Sequence, residues 1–340
     1  MHLLFFFTAM VTSAVFTKYY FLFTHEYYPP AQSDKIADFS AAKVFQKRFL
    51  IPVTANSMAK LTGFSFDHSL KTLTFFSSLA LIFGFLQLLK TTWKSNVSNF
   101  VSLFIFVPVV WNYIALNSIY HAYDIPTLSF YCWGCVFFLK QKYFLFYLIF
   151  IVGTLNREST CFITISSMLV LWKKPESARF DSIFLNLSHN QVLLKHLTFQ
   201  LILWLSITQV IQLLFQSNEG SFYEKTFSML DFIKDAWSGL VSWPFLDTSK
   251  FFSNPRSFFS LFLGIWICIP FFWRFIPSSH KKLLILVPIY LLPCSLYANL
   301  MEARVYHELN VVIAVACISG FDSYRAHRRD ICNLRYKKIV

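Results

Sequence analysis

Apolar residues run along this chain in long blocks, interrupted by short polar stretches. Blocks this uniform do not confine their hydrophobic residues to one stripe, so they predict helices that are apolar all round. Ten windows stand out, at roughly 2–23, 72–90, 100–119, 125–139, 143–155, 159–172, 197–215, 257–274, 282–300 and 308–321. At 1.5 Å per residue, a window of about 15 residues reaches only ~22 Å, short of a ~30 Å hydrocarbon core. The three windows between 125 and 172 are therefore expected to pack against other helices or line a wet cavity. The pattern predicts an all-α, polytopic transmembrane bundle of about ten helices, and no internal repeat is evident.

Two polar stretches are long enough to hold structure of their own, 24–71 and 216–256. In the first, Asp34, Asp38 and Ala41/Ala42 fall at helical spacing ahead of Val44 and Phe45, predicting a short interfacial helix that ends near Pro52. The second carries Trp237, Trp243 and Pro244 and is expected to lie on the membrane surface. Segment 180–196 reads as an amphipathic helix on the opposite surface, with Arg179 and Lys195 near its ends. Residues 1–322 form one expected transmembrane domain, and 323–340 a basic tail.

Composition sharpens this picture. The chain is 14% charged and 56% hydrophobic with a mean hydropathy of +0.52, too poor in charge for an ordinary soluble domain. Its 42 Phe are bulk that lipid accepts and need no functional explanation. Cys132 and Cys135 form a CxxC, but inside an apolar block rather than after a strand, which argues against a redox motif. The sequence has no HExxH, no paired CxxC and no Gly-rich phosphate loop, so a cytosolic nucleotide site is not expected.

The net charge of +13 raises nucleic acid as a partner, and its distribution answers the question. Alternate connections collect Lys90, Lys94, Lys140, Lys142, Lys173, Lys174 and, further on, the Arg and Lys of the C-terminal stretch. That set holds 17 basic residues against four acids, whereas the opposite set holds 12 against 13. Such alternation is the positive-inside signature; it predicts cytoplasmic N and C termini and anionic headgroups, not nucleic acid, as neighbours. The first block lacks the basic n-region and clean small-x-small cleavage site of a signal peptide, and is expected to be an anchor.

Four charged clusters then interrupt the apolar pattern, all on the expected outer side: Asp34/Asp38/Arg48, His121/Asp124, Arg157/Glu158 and Glu302/Arg304/Glu308. Each has a plain structural reading. Asp34 and Asp38 suit a solvated surface helix, Asp124 suits a helix cap ahead of Pro126, and Arg157–Glu158 suits a pin in a hairpin. Glu302 and Glu308 suit the positive end of a helix dipole. Their convergence on one side favours a site. A carboxylate beside a low-dielectric bundle can act as a general base, and Arg offers bidentate phosphate recognition.

Arg48-Phe49-Leu50-Ile51-Pro52, Asn156-Arg157-Glu158-Ser159 and Glu302-Ala303-Arg304 match R-x-L-x-P, N-R-E-[ST] and E-x-R motifs. With these motifs the chain resembles GT-C-type polytopic membrane glycosyltransferases, and more closely a set of bacterial multi-pass proteins. The resemblance implies a GT-C-like bundle in the bacterial inner membrane. It also implies a polyprenyl-phosphate-linked sugar donor, used on the outer face to modify a glycan or lipid acceptor. Asp34 or Asp38 is then the catalytic base, and Arg48, Arg157 and Arg304 bind donor phosphate. His121, Asp124, Asn156, Glu158, Glu302 and Glu308 position sugar or acceptor, with a divalent cation held by the acids if one is used. A transporter or flippase with a buried charged path, and a non-catalytic membrane assembly subunit, are the rival expectations.

Overall fold

The computed structural model describes residues 2–26, 29–93, 97–116, 119–172, 190–222, 258–297 and 306–337. Among them every regular element is helical: α1 (His2–Phe23), α2 (Ser33–Ala37), α3 (Lys43–Gln46), α4 (Leu50–Thr62), α5 (Phe66–Trp93) and α6 (Phe106–Val110). There follow α7 (Asp124–Leu139), α8 (Tyr143–Asn156), α9 (Cys161–Leu171), α10 (Gln191–Leu214), α11 (Cys268–Phe272), α12 (Ser278–Leu283), α13 (Leu286–Tyr297) and α14 (His307–Lys337). Three of these, α1, α5 and α10, are long and apolar enough to cross a membrane.

The hydrophobic surface faces outward as well as inward. α1 buries the stripe Phe5, Ala9, Ser13, Phe16 and Tyr20, while Leu3, Phe7, Val11 and Val15 stay exposed. In α10 the order is inverted: Gln200 is buried, bonded to the Thr164 hydroxyl, while Phe199, Leu201, Ile202 and Leu205 are exposed. Contiguous apolar faces of this extent are unfavourable in water.

Of the short helices, α7 lies in the interior, whereas α8 keeps Phe144, Leu148 and Ile151 exposed. α7 packs against α5, α8, α9 and α14, and most of its side chains are buried. At its centre the chain comes very close to α9, since a Cβ at Gly134 would lie 2.7 Å from Ile163 Cδ1.

Where a predicted span breaks, proline or a buried polar group is at the break. The window 100–119 is a 3₁₀ run at Asn99–Ile105, then α6, then a π turn at Trp111–Ala115. Pro108 supplies no N–H and crowds the preceding turn. The π turn places Asn112 inward, where Nδ2 donates to Asn310 Oδ1 at 2.9 Å and Oδ1 accepts from Phe262 N–H at 2.9 Å. The window 282–300 divides into α12 and α13 where Pro288 enters the first turn of α13. The window 257–274 is interrupted at Leu261–Gly264, with Phe262 and Leu263 in the left-handed region. α14 continues past 321 to Lys337, so the described part of the basic tail is helix.

The first polar stretch differs in detail from its expected single helix ending at Pro52. α2 and α3 are separated at Phe39 (φ 59°), and Pro52 lies in the first turn of α4, where its missing N–H costs nothing. α4 stops at Gly63, whose φ of 75° is the left-handed C-cap geometry glycine adopts without strain. Most of 180–196 and of 216–256 lies outside the described residues.

Charged and polar groups gather at the two ends of this bundle. At one, Lys90 Nζ donates to Asn99 Oδ1 (2.8 Å), Lys140 Nζ to Gln87 Oε1 (3.0 Å) and Lys282 Nζ to the Trp172 carbonyl (2.6 Å). This is the basic end. The other holds the candidate site and most of the described acids, Asp322 and Asp330 of α14 excepted.

Candidate functional site

The site is built where α7 and α14 begin and α8 turns into α9. At that turn Arg157 is extended (φ −163°, ψ 138°), and a 3₁₀ turn, Glu158–Thr160, leads into α9. Asn156 is fully buried, and its Nδ2 holds the start of α7 by donating to the Tyr123 carbonyl (3.0 Å) and Thr127 Oγ1 (2.9 Å).

Tyr123 is the hub. The Arg48 guanidinium lies 5.0 Å from its ring centre and donates from Nη1 to the phenolic oxygen at 3.0 Å. Arg157 lies 5.7 Å from the same ring centre. Two guanidiniums at one ring are a repulsive arrangement that needs acids nearby, and two are present. Glu158 Oε1 faces Lys47 Nζ at 2.7 Å and Arg48 Nη2 at 3.4 Å; Asp124 Oδ1 faces Arg157 Nη1 at 3.5 Å. His307 Nε2 lies 3.4 Å from that Asp124 oxygen and contacts Arg157 Nη1, and its Nδ1 contacts the Tyr113 hydroxyl.

Burial sets the electrostatics. It would lift the Glu158 carboxyl, but Lys47, Arg48 and Arg157 outweigh it and hold that group well below the usual carboxylate range. Burial depresses the Lys47 ammonium, against the pull of Glu158. The Tyr123 phenol is pushed up to about 12 by burial, with Arg48 opposing, so it stays neutral.

Several buried polar atoms here have no protein partner: Arg48 Nε, Glu158 Oε2, Asn156 Oδ1 and both ring nitrogens of His121. The His121 ring is 3% exposed and stacks between Phe45 and Tyr123, at 6.1 and 5.1 Å between centres. Unsatisfied buried donors and acceptors are costly, so several in one place mark where water or a ligand belongs.

The structure thus brings together Arg48, His121, Asp124, Asn156, Arg157 and Glu158. Asp124 is the first helical residue of α7 rather than its cap, and its side chain faces Arg157 and His307. Glu308 is nearby and buried, one oxygen accepting from the Tyr290 hydroxyl at 2.5 Å. Asp34 and Asp38 are not in this network; both are exposed, at either end of α2. Asp38 precedes Phe39, whose ring lies 6.3 Å from that of Phe49, next to Arg48. Glu302 and Arg304 lie outside the described residues.

Sequence reasoning passed over Tyr113 and Tyr290, since a Tyr in an apolar block carries no signal, and it had no means of singling out Lys47 from the other basic residues of its loop. It also passed over Glu26, whose two oxygens accept from Ser33 N–H at 3.2 and 3.1 Å. Burial raises that carboxyl, against the Ser33 hydrogen bonds, and Asp34 and Asp67 act in the same direction as burial. Among the described residues no group of three or more His, Cys, Asp or Glu is placed to hold a metal ion. Cys132 and Cys135 are both buried free thiols.

Comparison of the chain with protein-family models, with curated proteins and with solved structures found no match. The likeness to GT-C transferases therefore stands on its three short motifs. Two of them, 110 residues apart, meet directly through Arg48 and Glu158.

Proposed function

We propose that this chain is a multi-pass membrane glycosyltransferase of GT-C type. It moves a sugar from a polyprenyl-phosphate-linked donor to a glycan or lipid acceptor on the outer face of the bacterial inner membrane. The observation that carries the reading is the meeting of Arg48 and Arg157 at Tyr123, beside polar atoms that the protein leaves unsatisfied. Exposed apolar faces on α1 and α10 support the membrane assignment, and the basic end supports cytoplasmic termini by the positive-inside rule.

In this mechanism the guanidiniums of Arg48 and Arg157, joined by Arg304, take up the charge that develops on donor phosphate as its bond to the sugar breaks. Asp34 or Asp38 removes the acceptor hydroxyl proton as that oxygen bonds to the sugar. His121, Asp124, Asn156, Glu158, Glu302 and Glu308 orient the two substrates. Mass spectrometry of lipid extracted from the purified protein tests donor binding. Polyprenyl-phosphate sugars are expected with the wild type and at least ten-fold less with Arg48→Gln or Arg157→Gln; equal retention sinks the reading. If Asp34→Asn and Asp38→Asn both kept full transfer, the base would be misassigned.

A non-catalytic assembly subunit is the second reading, favoured by the mutual pairing of Lys47, Arg48 and Glu158 and of Arg157 and Asp124. Swapping charges as Lys47→Glu with Glu158→Lys separates the two. A structural pin tolerates the swap, whereas a phosphate site built for this geometry does not.

A further inference from the structure

A cavity of about 300 Å³ lies among the last three apolar segments of the chain, apart from Arg48 and Tyr123. Tyr306, Leu309 and Ile313, three and four residues apart, run along one face at the start of α14 and line it; all three are buried. Val287 of α13 lines it too, as do Trp266 and Trp273 on either side of α11. Every side chain around it is aliphatic, aromatic or proline, and its volume is that of a ligand site rather than of a packing defect. Such a lining gives water too few partners and suits hydrocarbon.

The two ends of the cavity differ. Towards the candidate site it is lined by Phe262 and Tyr306, both buried, with ring centres 6.3 Å apart, and His307 follows directly. Towards the basic end Trp273 lines it with 47% of its surface exposed, so this end is open. Lys281 Nζ lies 5.3 Å from the Trp273 ring centre, and the next residue in the chain, Arg274, is exposed. No Asp or Glu occurs between residues 258 and 297, so these cations have no acid on their own segments. An apolar recess with cations at its mouth complements a molecule with a hydrocarbon tail and an anionic head.

We propose that this cavity holds one acyl chain of an anionic phospholipid from the leaflet at the basic end, with the lipid phosphate on Arg274 and Lys281. A zwitterionic lipid offers the same chain but carries its own cation beside the phosphate, so the two protein cations favour the anionic headgroup. The lipid-linked sugar donor fits less well. Its phosphate belongs at Arg48 and Arg157, and the Phe262 and Tyr306 rings stand between those groups and the cavity. Binding of this phospholipid uses none of the residues assigned to sugar transfer and shares only the membrane assignment with it.

The test uses the full chain in phosphatidylcholine vesicles, with a tenth of the lipid replaced by phosphatidylglycerol or by phosphatidylcholine brominated along the acyl chains. Bromine quenches tryptophan on contact, and Trp266 and Trp273 are in the cavity wall. Flotation with the vesicles comes first; a protein that fails to float overturns the membrane assignment and this inference together. For inserted protein, brominated phosphatidylglycerol is expected to quench at least two-fold more than brominated phosphatidylcholine. That excess should vanish in Arg274→Gln/Lys281→Gln, in Val287→Phe, which fills the cavity, and in Trp266→Phe/Trp273→Phe, which removes the reporters. The charge variant changes only the open rim, so it decides the matter even where a filled cavity does not fold. Equal quenching by the two lipids overturns the inference, as does an excess that survives the charge variant or a folded Val287→Phe. Relief of quenching by polyprenyl phosphate but not by unbrominated phosphatidylglycerol also overturns it, by giving the cavity to the donor chain. Each of these results leaves the transferase reading standing.

Discussion

Lys47 Nζ stands 2.7 Å from Glu158 Oε1, tying the first polar stretch to the turn between α8 and α9. Arg48 shares the same oxygen, so one half-buried carboxylate balances two consecutive cations. Replacing Glu158 with Gln leaves both cations facing each other and Arg157. The expected loss is about 1–3 kcal/mol, below that for a fully buried pair because the side chain is 33% exposed and partly screened. Thermal unfolding in detergent measures it.

The same carboxyl predicts an acid response. Its pKa is depressed in the folded state, so its stabilisation is complete above the ordinary value near 4.5 and is lost as pH falls below it. Unfolding temperature should drop below about pH 4.5 in the wild type, and this component should be missing in Glu158→Gln. Parallel acid limbs in the two proteins contradict the assignment.

Asp124 and Arg157 are a deeper pair, and breaking it should cost more. Asp124→Asn leaves a buried guanidinium without its carboxylate, an expected loss of about 3–5 kcal/mol. Adding Arg157→Met removes the stranded charge and should recover part of that loss, a coupling that a double-mutant cycle reads directly. Additive effects would mean that the two side chains do not interact.

At the basic end, burial lowers the His280 imidazole to about 4 from an ordinary 6.5. A folded protein that keeps this ring neutral loses stability as pH falls from 6.5 towards 4, because the unfolded chain gains a proton that the folded one refuses. The full effect is about 3 kcal/mol. His280→Gln retains a hydrogen-bonding group at Thr92 and should be flatter over this interval in pH-dependent unfolding.

Gly134 fixes the approach of α7 to α9. Leu at this position meets Ile163 at once and should destabilise the protein by about 2–3 kcal/mol. Ile163→Ala in the same chain makes room and should return some of the unfolding temperature.

Apolar blocks were enough to locate α1, α7, α8 and α9 nearly to the residue, because length and hydrophobicity alone decide such helices. Between 99 and 115 they were not enough. Pro108 was visible, but the π turn depends on Asn112 finding Asn310, a contact that no local pattern announces. α4 was missed for the opposite reason. Its residues 50–62 are too polar to read as a span, and Pro52, read as a stop, sits where a helix begins.

In the site, the co-location of Arg48, Asp124, Arg157 and Glu158 was legible from charges interrupting apolar sequence. Their pairing was not. Arg157 stands beside Glu158 in sequence yet faces Asp124, because the extended backbone at Arg157 turns the two side chains apart. Asp34 and Asp38 were singled out by spacing in a loop, and spacing does not decide whether a loop residue points into the bundle or away from it. Both are exposed.

α14 is a single rod of 31 residues, about 46 Å long, buried from His307 to Gly320 and largely exposed from Phe321 onward. That exposed stretch extends from the packed helices as a stiff mast bearing Arg325, Arg328 and Arg329. Tilt that mast, by drawing its cations onto an anionic surface or pulling them off, and His307 at the far tip moves with it. Whatever anion gathers those cations would thus be felt mechanically at the buried start of the same helix.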